Sequence, residues 1–238
     1  MQYIYLLCYN ESILLPHTIK HYKTYLPNCH ITVYDNMSTD NSVEIAKSLG
    51  CDIITWDSQN IINDFMYLKI KNNCWKSDKD GWVIIADMDE WLCITEEQLN
   101  KEERDGTTIL NIEGYNMIGN SMLPDLSDID LHSIDKGILW KPESKKMCFL
   151  NKHIKEINYQ LGAHKCNPIG NIRYGNNIYI NKHMEYLGLP FIINKMNKRY
   201  ERSENMRKLG YCTHYTNNIK KILEIYNNYV MKSKKINL

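Results

Sequence analysis

Short apolar runs alternate with amphipathic stretches along the N-terminal part of this chain. Gln2-Tyr-Ile-Tyr-Leu-Leu-Cys8 reads as a buried strand. It stops at Tyr9-Asn10-Glu11-Ser12, and the periodicity from Leu14 to Tyr25, with Pro16 in the first turn, predicts a helix. His30–Tyr34 reads as a second strand. The polar run Asp35-Asn-Met-Ser-Thr-Asp40-Asn-Ser42 follows as a turn, with Ser42 or Asn41 placed to cap a helix over Val43–Leu49 that Gly50 closes. Asp52–Trp56 is a third strand, Ile61–Trp75 a helix and Trp82–Ala86 a fourth strand. A β-α-β-α-β-α-β order predicts a mostly parallel central sheet flanked by helices.

The rhythm changes after Trp91. Glu96–Arg104 predicts a short charged helix, and Thr107–Met117 alternates like a strand. Asn120–Asp135 is a polar loop. Short strands are expected at Met147–Leu150, His153–Tyr159 and Ile178–His183, and helices over Phe191–Arg207 and Asn218–Lys232. No repeat or low-complexity linker divides the chain. The expectation is one α/β domain over 1–238, with a nucleotide-binding half (1–92), then a smaller mixed acceptor-side sheet and C-terminal helices (93–238).

Composition narrows the classes. With 43% hydrophobic residues the 238-residue chain can build a core, and a net charge of +1 gives no reason to expect nucleic acid. No apolar run approaches the roughly 20 residues of a membrane span. The N-terminus lacks a basic region before its apolar stretch and reads as a strand, not a signal peptide. The eight cysteines form no Cys-x-x-Cys pair and read as reduced thiols of a cytoplasmic protein.

The strongest chemical signal is Trp82-Val-Ile-Ile-Ala-Asp87-Met-Asp89-Glu90-Trp91, where an apolar strand ends in three carboxylates. If the extended backbone continues, Asp87 and Asp89 point the same way. That suits a divalent cation carrying a diphosphate. Asp-x-Asp also occurs at Asp78-Lys-Asp80 and Asp128-Ile-Asp130, but only the copy at Asp87 follows an apolar strand. The carboxyl ends of strands in open α/β sheets are where ligands bind. After the second strand, Asp35 can accept hydrogen bonds from a nucleoside. Trp82, Trp91 and Trp140 are mostly core candidates; Trp91, beside the carboxylates, is the best placed to stack on a sugar. The Lys/Arg run from Lys195 to Arg202 reads as a solvated helix face, with a lid over a diphosphate as the alternative.

The order Asn10-Glu11, Asp35-Asn-Met-Ser-Thr-Asp40, then Asp87-Met-Asp89-Glu90 resembles the GT-A glycosyltransferases, most closely the family 2-like group. Gly162-Ala-His164-Lys, Ile180-Asn-Lys-His183-Met-Glu-Tyr-Leu-Gly188 and the late run to Gly210-Tyr-Cys-Thr-His214-Tyr215 extend the resemblance over most of the chain. It implies a GT-A fold and transfer of a sugar from a nucleotide-sugar, UDP-sugar being favoured, with Mn²⁺ or Mg²⁺. The acceptor would be the hydroxyl of a glycan, lipid or protein. By the same resemblance Asn10, Glu11, Asp35 and Asp87 contact the nucleotide, Asp35 at the base and Asp87 at the ribose or a bridging water. Asp89 ligates the metal, and its histidine partner is His183, with His164 the competitor.

Two departures stand out. Asn36 replaces the usual second Asp of the nucleoside motif, and the usual acceptor-side Glu-Asp base motif is missing. An inverting transfer is expected, and it needs a base at the acceptor hydroxyl. Glu90, His164 and Glu113 are the candidates; without a carboxylate there, a retaining course opens. The other readings are a nucleotidyltransferase, disfavoured by a first loop without glycine, and a carbohydrate-binding relative without turnover.

Overall fold

The computed structural model describes residues 1–236. Seven helices and twelve strands follow in the order β1 (Gln2–Cys8), α1 (Leu15–Tyr25), β2 (Cys29–Asp35), α2 (Ser42–Ser48), β3 (Asp52–Thr55), α3 (Asp64–Asn73), β4 (Trp82–Asp87) and β5 (Glu90–Cys93). Next come α4 (Glu96–Arg104), β6 (Ile109–Ile118), β7 (Lys136–Leu139), β8 (Cys148–Leu150), β9 (Ile154–Glu156) and β10 (Ile169–Gly170). The long strand β11 (Tyr174–Tyr186), α5 (Leu189–Arg202), α6 (Glu204–Lys208), α7 (Ile219–Lys232) and β12 (Lys234–Lys235) complete the order, with short 3-10 turns between β6 and β9.

The sheet has a parallel part and an antiparallel part. Strands β3, β2, β1 and β4 are parallel neighbours in that order. Beyond β4 the sheet continues antiparallel through β8, β6, β7 and β12. The expected mostly parallel centre is therefore present, and one ten-stranded sheet runs through both predicted halves. β9 and β10 form a separate small sheet.

Side-chain alternation explains the layers. Ile4, Leu6 and Cys8 of β1 and Trp82, Ile84 and Ala86 of β4 pack on one face with Leu15, Ile19 and Tyr22 of α1. Tyr5, Val83 and Ile85 point to the other face, against Trp75 and Phe149. A strand covered on both sides must be apolar throughout, which is how β1 and β4 read. Helix ends follow local chemistry. Pro16 enters the first turn of α1, Asn63 caps α3 by accepting from the Met66 N–H (3.2 Å), and Thr95 with Gln98 closes a capping box on α4. Neither predicted cap of α2 makes a side-chain cap bond.

β11 is longer than its apolar segment suggested, because two strands support it. It runs parallel to β6 and antiparallel to β5. That register sets His183 opposite both Glu90 and Asn116. Strand β5 itself went unpredicted; its four residues look like the tail of the carboxylate motif. The eight cysteines are free thiols.

Candidate functional site

β1 and β4 lie side by side, and the order 3-2-1-4 places the reversal of winding between them, where a crevice opens at their carboxyl ends. A cleft of about 750 Å³ sits there. Glu11, Asp87, Asp89 and Glu90 line it from the sheet edge, His183 and Glu185 from β11, Arg199 and Arg202 from α5, and His164 from a loop.

The extended backbone does not continue past Asp87, and this corrects the expectation that Asp87 and Asp89 point the same way. Met88 and Asp89 form a tight turn before β5, with Met88 buried in the core. The turn sends the two carboxylates to different partners. Asp87 meets Lys71 at 2.8 Å and Lys145 at 3.7 Å. Asp89 receives Lys195 Nζ at 2.5 Å, an Arg199 Nη at 3.2 Å and His183 Nε2 at 3.4 Å, all on Oδ2. Burial opposes ionisation of Asp89, but Lys195, His183 and Arg199 outweigh it and hold the carboxyl well below its usual range. Burial likewise opposes charge on His183, yet Glu143 and Asp89 raise its imidazole to about 9. His183 Nδ1 lies 2.7 Å from Asn116 Oδ1, which orients the ring.

Glu90 is walled in. It pairs with Lys145, accepts the Asp87 N–H at 2.8 Å, and is 1% exposed. Burial pushes its carboxyl up against the pull of Lys145. Lys145 also meets Glu143 at 2.9 Å, so one ammonium holds Glu90 and Glu143 together. His164 contrasts with Glu90. Its side chain is 44% exposed, and Nδ1 lies 2.9 Å from the Pro142 carbonyl. That bond makes Nδ1 the donor and leaves Nε2 as the acceptor. Burial, then Lys145, lowers the His164 pKa and favours the neutral ring. Gly162 and Ala163, both at positive φ, turn the chain to deliver this ring. A Cβ at Gly162 would lie 2.8 Å from the imidazole Cδ2.

The donor-side residues divide. Asn10 is bound within the protein: its Oδ1 accepts the Thr39 N–H at 2.7 Å and its own N–H donates to Ser38 Oγ at 2.9 Å. Glu11 faces the cleft, and burial pushes its carboxyl up to about 7. Asp35 is 2% exposed; Oδ2 accepts the Ser38 N–H at 3.1 Å, while Oδ1 is buried with no partner. Asn36 exchanges two bonds with Ser58, donating at 2.8 Å and accepting at 2.9 Å.

Three sequence expectations give way. Trp91 is 1% exposed, stacks on His21 at 5.2 Å and donates to Thr18 Oγ1, so it is core and cannot face a sugar; Trp140, at 42% exposure, lines the cleft instead. Glu113 points to Tyr115 and is not part of the cleft wall. The basic helix is not a solvated face, since Lys195 and Arg199 descend from α5 onto Asp89. Lys71, Glu143, Lys145 and Glu185 also belong to the site, and no motif in the sequence marks them. The one available hint was the i, i+4 spacing of Lys195 and Arg199, which puts two cations on one helix face.

No protein-family model matches the chain. Over 46 residues it is 37% identical to Protein RfbJ of Shigella flexneri, covering 19% of this chain and 36% of that one. Among solved structures, S. aureus TarS 1-349 in complex with UDP-GlcNAc is 11% identical at a TM-score of 0.45, over 95% of this chain and 71% of the other. A longer TarS structure gives 12% and 0.46, with only 43% of that chain covered. The glucosyl-3-phosphoglycerate synthase of Mycobacterium tuberculosis with Mn²⁺, UDP-glucose and phosphoglyceric acid gives 14% and 0.34, over 48% and 44% of the two chains. Likeness this remote assigns neither family nor activity; the chemistry of the cleft has to carry the function. No described helix is long and apolar enough to cross a membrane.

Proposed function

We propose that the protein is a glycosyltransferase of the GT-A type, moving a sugar from a nucleoside-diphosphate donor, a UDP-sugar by preference, to an acceptor hydroxyl. The observation that carries this reading is the meeting of Asp89 and His183, 3.4 Å apart, at the carboxyl edge of the parallel strands. Residues far apart in the chain supply a carboxylate and an imidazole to one point. Such donors suit Mn²⁺ or Mg²⁺ once His183 gives up the proton that Glu143 and Asp89 favour, since a ligating imidazole is neutral. The described residues hold no group of three or more metal-binding side chains. Phosphate and water oxygens would complete the shell, as is usual for Mg²⁺ at substrate phosphates. The convergence of Lys195, Arg199 and His183 on Asp89 marks a position built for positive charge, and Asp89 Oδ1 takes no part in those contacts. The residues thus fit the ion. When bound, it would act as a Lewis acid toward the departing diphosphate.

The remaining roles belong to the chain itself. Asp35 Oδ1 is a buried acceptor without a partner, which is costly, but Asp35 does not line the cleft, so a nucleobase N–H would reach it only if the loop after β2 moved. Asp87, held ionised by Lys71 and Lys145, faces the cleft for a ribose hydroxyl. His164 is the base of choice: it is neutral, exposed to the cleft, and fixed with Nε2 free to take the acceptor proton. Glu90 is committed to Lys145 and to the Asp87 N–H, and acts as a support. The cleft is large enough for a donor and part of an acceptor.

A thermal-shift titration tests the reading. UDP and Mn²⁺ together raise the midpoint by more than the sum of their separate effects, and Asp89→Asn removes that excess without unfolding the protein. Independent responses to the two ligands would overturn the proposal. Screening UDP-sugars for Mn²⁺-dependent release of UDP then identifies the donor.

A further inference from the structure

Lys195 occupies an unusual position for a residue of a cation-binding site. Its ammonium lies 2.5 Å from Asp89 Oδ2, its side chain is 9% exposed, and no other described carboxylate is within 4.0 Å of it. Arg199, one helical turn further along α5, touches the same oxygen but has a second carboxylate, Glu185, at 3.7 Å, and the face of Tyr215 at 5.6 Å. If Asp89 turned to a divalent ion, Arg199 would keep a carboxylate at 3.7 Å, while Lys195 would keep only the face of Phe191 at 5.8 Å and the longer-range charge of Glu11. An ammonium left unpaired in a nearly closed pocket is expensive. Even an ion that enters at the free Oδ1 would share the single charge of Asp89 with the lysine on Oδ2, so the two compete electrostatically unless another anion arrives to receive the lysine. A diphosphate is such an anion.

We propose that Lys195 is a tethered counter-cation of Asp89. Its transfer from Asp89 to the incoming diphosphate couples the binding of metal and nucleotide, so the ion enters with the nucleotide and not ahead of it. This rests on the transfer reading for the identity of the anion, while the competition between Lys195 and a divalent cation stands on the Asp89 geometry alone. Coupling of this kind is reciprocal: the factor by which UDP strengthens Mn²⁺ binding equals the factor by which Mn²⁺ strengthens UDP binding.

Calorimetric titration of Mn²⁺ into nucleotide-free protein is the direct test, repeated on Lys195→Met and Lys195→Arg. Removing the competitor tightens binding of Mn²⁺ alone by about tenfold or more, within the usual range of coupling between sites. The benefit from added UDP shrinks to match, and Lys195→Arg stays near the wild type. Lys198→Met makes the same change in net charge from an exposed position on α5 and leaves Mn²⁺ affinity unchanged. Equal Mn²⁺ affinity in the wild type and Lys195→Met, or an equal gain in Lys198→Met, overturns the proposal. Should Lys195→Met fail to fold, the wild type decides: Mn²⁺ binding that is as tight without UDP as with it also overturns the proposal. Failure of UDP to bind under any condition sinks the transfer reading alone, since the comparison with Mn²⁺ by itself still judges Lys195.

Discussion

Lys145→Met is the most demanding test of the site's construction. The ammonium is 5% exposed and sits between Glu90, at 1%, and Glu143, at 7%, with Asp87 at 3.7 Å. Methionine keeps much of the volume and removes the charge. Two buried carboxylates are then left facing each other with no cation between them. Removing one partner of a buried ion pair costs about 3–5 kcal/mol, because the remaining charge is neither solvated nor paired. The expected loss in a urea unfolding curve at neutral pH lies in that range. Adding Glu90→Gln removes one of the stranded charges, and the double variant should recover about 2 kcal/mol or more, a coupling typical of groups in contact. The deficit also depends on pH. An orphaned carboxylate has its folded pKa raised above its unfolded value, so its stability deficit grows as pH rises above about 4.5 and shrinks in acid. A loss below about 1 kcal/mol, the scale of an exposed pair, or a double variant that is simply the sum of its parts, would refute this account of the cluster.

Two further outcomes follow from the same geometry. His164→Ala should lower kcat by about 10² to 10⁴, the contribution of a positioned base, while KM for the donor stays put; steady-state rates with the identified UDP-sugar check this, and an unchanged kcat removes His164 from the reaction. His21, 4% exposed against Trp91, is pushed down to about 4 by burial. The unfolded chain then takes up a proton from about pH 6.5 downward that the folded one refuses, so stability present above that pH is lost toward pH 4, about 3 kcal/mol for this group. His21→Gln should show a shallower fall in urea midpoint over that window, and parallel curves would count against it.

Sequence alone determined the parallel half. Apolar runs such as Gln2–Cys8 and Trp82–Ala86 read as strands covered on both faces, and the helices between them follow from periodicity and from Pro16, whereas the Asn63 and Thr95 caps emerged only in the folded chain. These are local rules, acting over a few residues. It also brought the carboxylates to the strand ends and named His183 and His164 before their surroundings were known. Tertiary structure decided what those groups face. Asp87 and Asp89 are two positions apart, yet the turn at Met88 gives each its own cations, from α3 and the segment before β8 for one and from α5 for the other. Trp91 borders the motif and is nonetheless core, because β5 turns it onto His21 and Thr18. Lys195 lies 106 residues from Asp89 along the chain, and no pattern of spacing announces such a pair. Burial and charge pairing between distant elements depend on how the sheet and α5 come together, which is why the carboxylates were legible in the sequence and their counter-charges were not.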